Sequence, residues 1–110
     1  MIKVRVIRKN GRIRGFLTEG HAMFDSAGKD IVCAAVSILT VNTVNAFEAF
    51  LPEEETKVSV DEKKGRIECV FLSEPSEKAG LLLDTYFLGI RGIENKYGRD
   101  YLKLEDSFEQ

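Results

Sequence analysis

The sequence predicts an α+β domain in which a mainly antiparallel sheet packs against two helices. Two segments alternate apolar and polar residues around a short turn, which is the pattern of a β-hairpin, and each is followed by a longer helical segment. The predicted order of elements is β-β-α-β-β-α-β, and packing both helices on one sheet buries all of the apolar faces. The 110 residues suffice for a single domain that spans residues 1–110.

The first hairpin runs over residues 2–19 and turns at Asn10-Gly11. This dipeptide supplies the positive φ angles that a type I′ turn requires. Gly15, inside the second strand, indicates a bulge. One face of the first strand is apolar and is predicted to meet the core: Ile2, Val4 and Val6.

A loop and a long helix follow. Residues 20–29 show no periodicity and are predicted to be a loop. From about Asp30 to Leu51 the chain has no glycine or proline and is apolar on nearly all sides, which is too long a run for a strand and predicts a buried helix. Because a single sheet cannot cover so many apolar sides, the helix also predicts a homodimer interface.

The second half of the chain repeats this order with a further strand at its end. TKVSV and RIECVFL predict the second hairpin, and Val58 and Val60 are predicted to face the core. Ser73 is predicted to start the second helix and Gly98 to end it. DYLKLED then predicts a short last strand.

Composition excludes several classes of function. The formal net charge of −2 argues against broad nucleic-acid binding and suits a basic protein partner better. The N-terminus lacks the apolar stretch of a signal peptide, and no apolar run is expected to reach the roughly 18 residues of a membrane span. Two cysteines without an export signal favour the reducing cytoplasm. One histidine and two cysteines cannot close a four-ligand zinc site, so we predict no metal and no cofactor.

Cys33 is the first candidate for chemistry. The predicted helix would place it in the first turn, where unpaired backbone N–H groups and the helix dipole stabilise a thiolate. A cysteine followed by Ala-Ala-Val is also common as plain packing, so both interpretations stay open. Cys69 alternates with apolar neighbours on a predicted strand and is expected to be a core thiol.

His21, the only histidine, lies twelve residues before Cys33. A loop of that length can fold back so that the imidazole takes the thiol proton and later protonates a leaving amine. Gly20 and Gly28, near the two ends of the loop, are candidates either for hinges or for positions with positive φ.

Two further residues are candidates for supporting roles. Asp30 is either the N-cap or first-turn acid of the helix, or it orients the His21 ring as a third group. Ser37 lies four residues after Cys33 and therefore on the same helix face. It either hydrogen-bonds near the reacting atoms or bonds back to its own helix.

At these residues the sequence resembles the ribosomal-processing cysteine protease family of bacteria. The resemblance rests on Gly20-His21-Ala22, on Gly28 followed by the run DIVCAA at residues 30–35, and on Ser37, with the family's spacing between histidine and cysteine. The order of elements and the C-terminal segments YFLGIRGI and YGRDYLKL agree over essentially the full chain.

The resemblance implies a homodimeric cysteine endopeptidase with a dyad of Cys33 and His21. Its implied substrate is the precursor of large-subunit ribosomal protein L-twenty-seven, whose N-terminal extension is removed after a phenylalanine, and residues 20–29 would move to admit the peptide. The alternative is a non-catalytic module that binds a ribosomal protein or an assembling ribosome, with Cys33 merely packed. Neither interpretation involves direct nucleic-acid binding or a membrane.

Overall fold

The computed structural model describes residues 1–20 and 27–106, with only the backbone described for residues 27–30. Its elements are β1 (Ile2–Lys9), β2 (Arg12–Glu19), α1 (Ala27–Phe50), β3 (Thr56–Asp61), β4 (Arg66–Phe71), α2 (Glu77–Tyr97) and β5 (Leu102–Glu105). The strands form one sheet in the order β3-β4-β2-β1-β5, in which only the β1–β5 pair is parallel. The predicted α+β class, element order and mainly antiparallel sheet are confirmed.

The first hairpin has the predicted turn and the predicted irregularity. Asn10 and Gly11 have φ angles of 55° and 78°, as a type I′ turn requires. The register of β1 against β2 shifts by one residue, which leaves Arg14 as an extra residue beside Gly15. A Cβ atom on Gly15 would lie 2.0 Å from the carbonyl oxygen of Cys69, so glycine is what lets β4 approach β2 at this point.

The core lies between one face of the sheet and the two helices. The strands contribute alternating residues, as predicted for β1. Their core members are Ile2, Val4, Val6, Phe16, Cys69, Phe71, Leu102 and Leu104. The helices contribute Val32, Val36, Phe47, Ala79, Leu83, Tyr86 and Ile90. Both helices therefore cover the same face of the sheet.

The prediction that β3 faces the core is wrong. Val58 is 40% exposed and Val60 is 62% exposed. β3 is an edge strand of the sheet, and none of its residues belongs to the core cluster. β3 does alternate apolar and polar residues, as the sequence indicates. Its apolar face, however, extends beyond the helices and is available for other contacts.

α1 is longer and more exposed than the sequence predicted. It begins at Ala27 rather than near Asp30, so residues 27–29 are helical and not part of a loop. Ile31–Phe50 is long and apolar enough to cross a membrane by length and composition, contrary to our expectation. Val32, Val36 and Phe47 nevertheless lie in the core, which is the arrangement of a helix packed on its own domain.

α2 begins at Glu77, and its N-cap is Ser76 rather than Ser73. The Ser76 hydroxyl accepts a hydrogen bond from the Ala79 N–H group, three residues on. The Glu54 carboxylate in turn accepts hydrogen bonds from the Ser76 hydroxyl and N–H group, which lower the pKa of Glu54. These contacts tie the segment that follows α1 to the start of α2. Gly98 ends α2 with a φ of 100°, as predicted.

Candidate active site

α1 places Cys33 and Ser37 one turn apart on the wall of a cleft of about 270 Å³. Both residues lie within the helix, so their positions relative to each other are fixed by its backbone. Cys33 is half-buried and is a free thiol. The prediction that these two side chains share one helix face is confirmed.

The other walls of the cleft come from the sheet. Gly20 and Thr18 line it from the end of β2, and Val60 and Ile67 line it from the β3–β4 hairpin. Val60 and Ile67 are direct partners across that hairpin, so the exposed apolar face of β3 forms one side of the cleft. The cleft is thus bounded by a thiol on one side and by apolar side chains on the other.

The position of Cys33 in its helix corrects the sequence prediction. Because α1 begins at Ala27, Cys33 is its seventh residue and lies in the second turn. The effect of a helix dipole falls off within the first turn, so this effect does not account for an activated thiol here.

The structure bears on two of the predicted loop residues. Gly20 has a φ of 98°, and a Cβ atom on it would lie 2.3 Å from the carbonyl oxygen of Met1. The interpretation of Gly20 as a position with positive φ is confirmed, because any other residue would be strained and would clash there. Gly28 instead lies within the first turn of α1.

The remaining predicted site residues are described only in part. Asp30 is the fourth residue of α1, so it is not the N-cap, and its side chain lies outside the described residues. His21 also lies outside the described residues, but it is bonded to Gly20, which lines the same cleft as Cys33. The only histidine of the sequence therefore follows directly after a residue that lines the cleft.

Cys69 differs from Cys33 in every relevant property. It is fully buried in the core, as predicted. Burial, together with the negative charge of Glu48, raises the pKa of Cys69 to about 12. A thiol in that environment is a packing residue and not a nucleophile.

Sequence reasoning did not identify the β3–β4 hairpin as part of the site. Val60, Asp61 and Glu62 of this hairpin line the cleft. The signal in the sequence was an apolar alternation that ends directly before a charged turn. Such a pattern indicates a strand that extends beyond the core of the domain. Nothing in the local pattern shows which other element lies opposite that strand.

The described residues contain no cluster of three or more histidine, cysteine, aspartate or glutamate side chains that could hold a metal ion.

Comparisons with known proteins connect this cleft to an activity. Residues 1–103 match the family model described as Cysteine protease Prp. The ribosomal processing cysteine protease Prp of Bacillus subtilis is 30% identical over 109 residues, covering 94% of this chain and 96% of that protein.

Two crystal structures of the ribosomal processing protease Prp from S. aureus share the fold. One holds a substrate peptide, with a TM-score of 0.86 and 25% identity; it covers 97% of this chain and 100% of its own. The other holds a covalently linked product peptide, with a TM-score of 0.84, 26% identity and the same coverage.

The fold, the cleft and these matches define the class of the protein, which is a cysteine protease. The chain belongs to the Cysteine protease Prp family. Family membership favours the enzyme over the non-catalytic binding module.

The two thiols are expected to differ sharply in their reaction with iodoacetamide. At pH 7 a thiol with a pKa of about 12 is ionised in only about one molecule in 10⁵, and Cys69 is also closed to solvent. Cys33 lines an open cleft and should be alkylated while the protein stays folded. Peptide mapping by mass spectrometry after short exposures measures both rates. Equal labelling of Cys69 and Cys33 in the folded protein would contradict the assignment of Cys33 as the reactive thiol and Cys69 as a packing residue.

Proposed function

We propose that the protein is the endopeptidase that removes the N-terminal extension of the precursor of ribosomal protein L-twenty-seven after a phenylalanine. The observation that carries the proposal is a half-buried free thiol, Cys33, on the wall of an apolar cleft in a chain of this protease family. The S. aureus relative of the same fold has been crystallised with a covalently linked product peptide.

In the proposed mechanism Cys33 is the nucleophile and His21 is the general base. His21 takes the thiol proton, and the thiolate forms a bond to the carbonyl carbon of the scissile peptide. The imidazolium then protonates the leaving amine as the C–N bond breaks, which leaves an acyl-enzyme. A water molecule, deprotonated by His21, attacks the thioester and releases the new carboxylate and the Cys33 thiol.

This assignment supplies the activating group that the helix dipole does not. His21 is bonded to Gly20, and the positive φ of Gly20 sets the direction in which the chain leaves β2 beside the cleft. The proposed base thus follows, in the sequence, a residue that lines the sheet side of the cleft, and the proposed nucleophile lies on the helix side. Asp30 and Ser37 are proposed as supporting residues, Asp30 to orient the His21 ring and Ser37 to hydrogen-bond near the reacting atoms.

The walls of the cleft suit the proposed substrate. Ile2, Val60 and Ile67 offer an apolar surface for a phenylalanine side chain. Asp61 and Glu62 add negative charge at the same cleft, which Arg66 offsets in part. The net charge of −2 favours association with a basic ribosomal protein. Free thiols at Cys33 and Cys69 are consistent with work in the reducing cytoplasm.

The direct test incubates the purified protein with the precursor of ribosomal protein L-twenty-seven and measures product masses. We expect a single cut after phenylalanine, with release of the N-terminal extension. A precursor in which that phenylalanine is replaced by aspartate is the matched control and should stay intact. An uncut precursor in the presence of folded protein with a reactive Cys33 would overturn the proposed substrate.

We also propose that the protein is a homodimer that uses the exposed stripe of α1. Ile31, Ile38 and Val41 recur at intervals of about two turns and one turn, which keeps them on one side of α1, and they are 50%, 69% and 49% exposed. Such a continuous apolar stripe is unfavourable in water unless another surface covers it.

Ile38→Glu is expected to convert the dimer to a monomer, because it places a charge at the centre of this stripe. Light scattering coupled to size-exclusion chromatography measures the change in mass. Leu88→Glu, on α2 and 73% exposed, is the matched control and should leave the mass unchanged. A dimer that survives Ile38→Glu would exclude this interface.

A further inference from the structure

Three buried hydroxyl groups form a chain behind the cleft. The Tyr86 hydroxyl lies 2.9 Å from the Thr18 hydroxyl and 2.9 Å from the Thr40 hydroxyl. Tyr86 is 2% exposed, Thr40 is 1% exposed and Thr18 is 8% exposed. The chain therefore connects α2, α1 and β2, and only its Thr18 end lines the cleft that contains Cys33.

The number of hydroxyl protons limits which group donates and which group accepts in this chain of three hydroxyls. Burial raises the pKa of Tyr86, so its phenol stays protonated and has one proton to donate. If it accepted from both threonines, its own buried proton would have no partner among the described residues, so it donates to one threonine and accepts from the other. Either Thr18 donates to Tyr86 and Tyr86 to Thr40, or the chain runs in the opposite direction.

The first direction leaves a buried donor without a partner. The Thr40 proton would need another acceptor, and among the described residues Thr40 bonds only to Tyr86. Its neighbour Thr43 shows the usual alternative, since it donates to the carbonyl of Leu39 four residues back. Thr40 makes no such bond, and burying an unpaired donor is costly.

The opposite direction moves the unpaired donor from Thr40, which is 1% exposed, to Thr18, which is 8% exposed and lines the cleft. Thr40 donates to Tyr86 and Tyr86 donates to Thr18, so the free proton is that of Thr18, at the cleft. At this end the cleft is open, so a ligand in the cleft can supply the acceptor. Because Tyr86 holds the oxygen of Thr18 in place, the direction of the Thr18 O–H group is restricted before any ligand binds.

We propose that the Thr18 hydroxyl donates a hydrogen bond to a backbone carbonyl oxygen of the peptide bound in the cleft. This proposal rests on the proposed peptidase function. A peptide carbonyl is the expected acceptor, because it loses its water on binding and needs a donor in its place. Ile2, Val36 and Ile67 of the same cleft offer none, and the other side-chain donors that line it are Cys33, Ser37 and Arg66. The hydrogen bonds from Tyr86 and Thr40 polarise the donor and strengthen it.

Thr18→Val tests the proposal in steady-state cleavage of a peptide that spans the precursor site. Removing a contact that is made equally in the bound substrate and in the transition state raises KM and leaves kcat unchanged. We expect KM to rise about 3- to 10-fold with kcat within twofold, as fits the loss of one hydrogen bond. Thr18→Ser keeps the hydroxyl and should retain the original KM.

The control is Thr43→Val, the same substitution at a buried threonine that bonds only within α1. It should lower the melting temperature without changing KM. Tyr86→Phe should raise KM in the same direction as Thr18→Val, and the double variant should resemble Thr18→Val alone. If Thr18→Val does not fold, Thr18→Ala compared with Thr18→Ser supplies the same measurement.

Three outcomes would overturn the role of Thr18. The first is an unchanged KM in a folded Thr18→Val protein, which would make the hydroxyl chain purely structural. The second is a loss of kcat with KM unchanged, and the third is a KM effect of Tyr86→Phe that adds fully to that of Thr18→Val. All three are measured relative to the unaltered protein. If that protein does not cleave the peptide, it is the proposed function that fails.

Discussion

Cys33→Ala is expected to reduce cleavage of the precursor by a factor on the order of 10⁴ or more, because it removes the atom that forms the covalent bond. The substitution leaves the cleft and the helix in place, since Cys33 is half-buried and alanine is the best helix former. Binding of an uncleaved peptide should persist. Mass spectrometry of the product and peptide titration by calorimetry measure the two effects separately.

Cys69→Ala is the matched control for this result. It removes the other thiol from a fully buried position, so it should lower the free energy of unfolding by about 1 to 2 kcal/mol through the cavity that it creates. Activity per folded molecule should be retained. Cleavage that persists in Cys33→Ala and disappears in Cys69→Ala would reverse the assignment of the two thiols.

The parts of the fold that were predicted correctly have strong local signals. Asn10-Gly11 specifies its turn through backbone conformation alone, and the alternation of Ile2, Val4 and Val6 specifies the face that meets the core. The same holds for Gly98, whose positive φ ends α2. In each case the cause lies within a few residues of its effect.

The features that were not predicted depend on contacts between distant segments. β3 does alternate apolar and polar residues at Val60. Whether its apolar face is buried depends on how far the helices extend over the sheet, and here this face stays exposed and lines the cleft. The hydroxyl chain joins Thr18, Thr40 and Tyr86, which are far apart in the sequence and were not among the candidates. Such a site becomes visible only when β2, α1 and α2 are assembled.

The residue at which α1 begins decides whether the dipole of this helix can activate Cys33. A helix that begins at Asp30 would have placed Cys33 in the field of its N-terminus, whereas the observed start at Ala27 removes that explanation. In the proposed mechanism Cys33 therefore relies on a separate base. The resemblance of Gly20-His21-Ala22 to the family motif had named that base, and the geometry of α1 supplies a physical reason for it.

His21→Ala is expected to reduce cleavage by about 10²- to 10⁴-fold, which is the usual contribution of a general base. The loss should be smaller than that of Cys33→Ala, because the thiol can still ionise in water. Raising the pH should recover part of the rate in His21→Ala, since hydroxide replaces the missing base, and should recover none in Cys33→Ala.

Added imidazole distinguishes a lost base from a disturbed fold. It can occupy the space left by the side chain in His21→Ala and accept the thiol proton, so cleavage should rise with its concentration. The effect should follow the neutral form, whose share grows as the pH rises through the imidazole pKa of roughly 7. A His21→Ala protein that cleaves at the full rate, or one that is inactive but still alkylated at Cys33 as fast as the unaltered protein, would remove His21 from the role of base. The second outcome counts against the role because a base that activates the thiol must affect every reaction of that thiol.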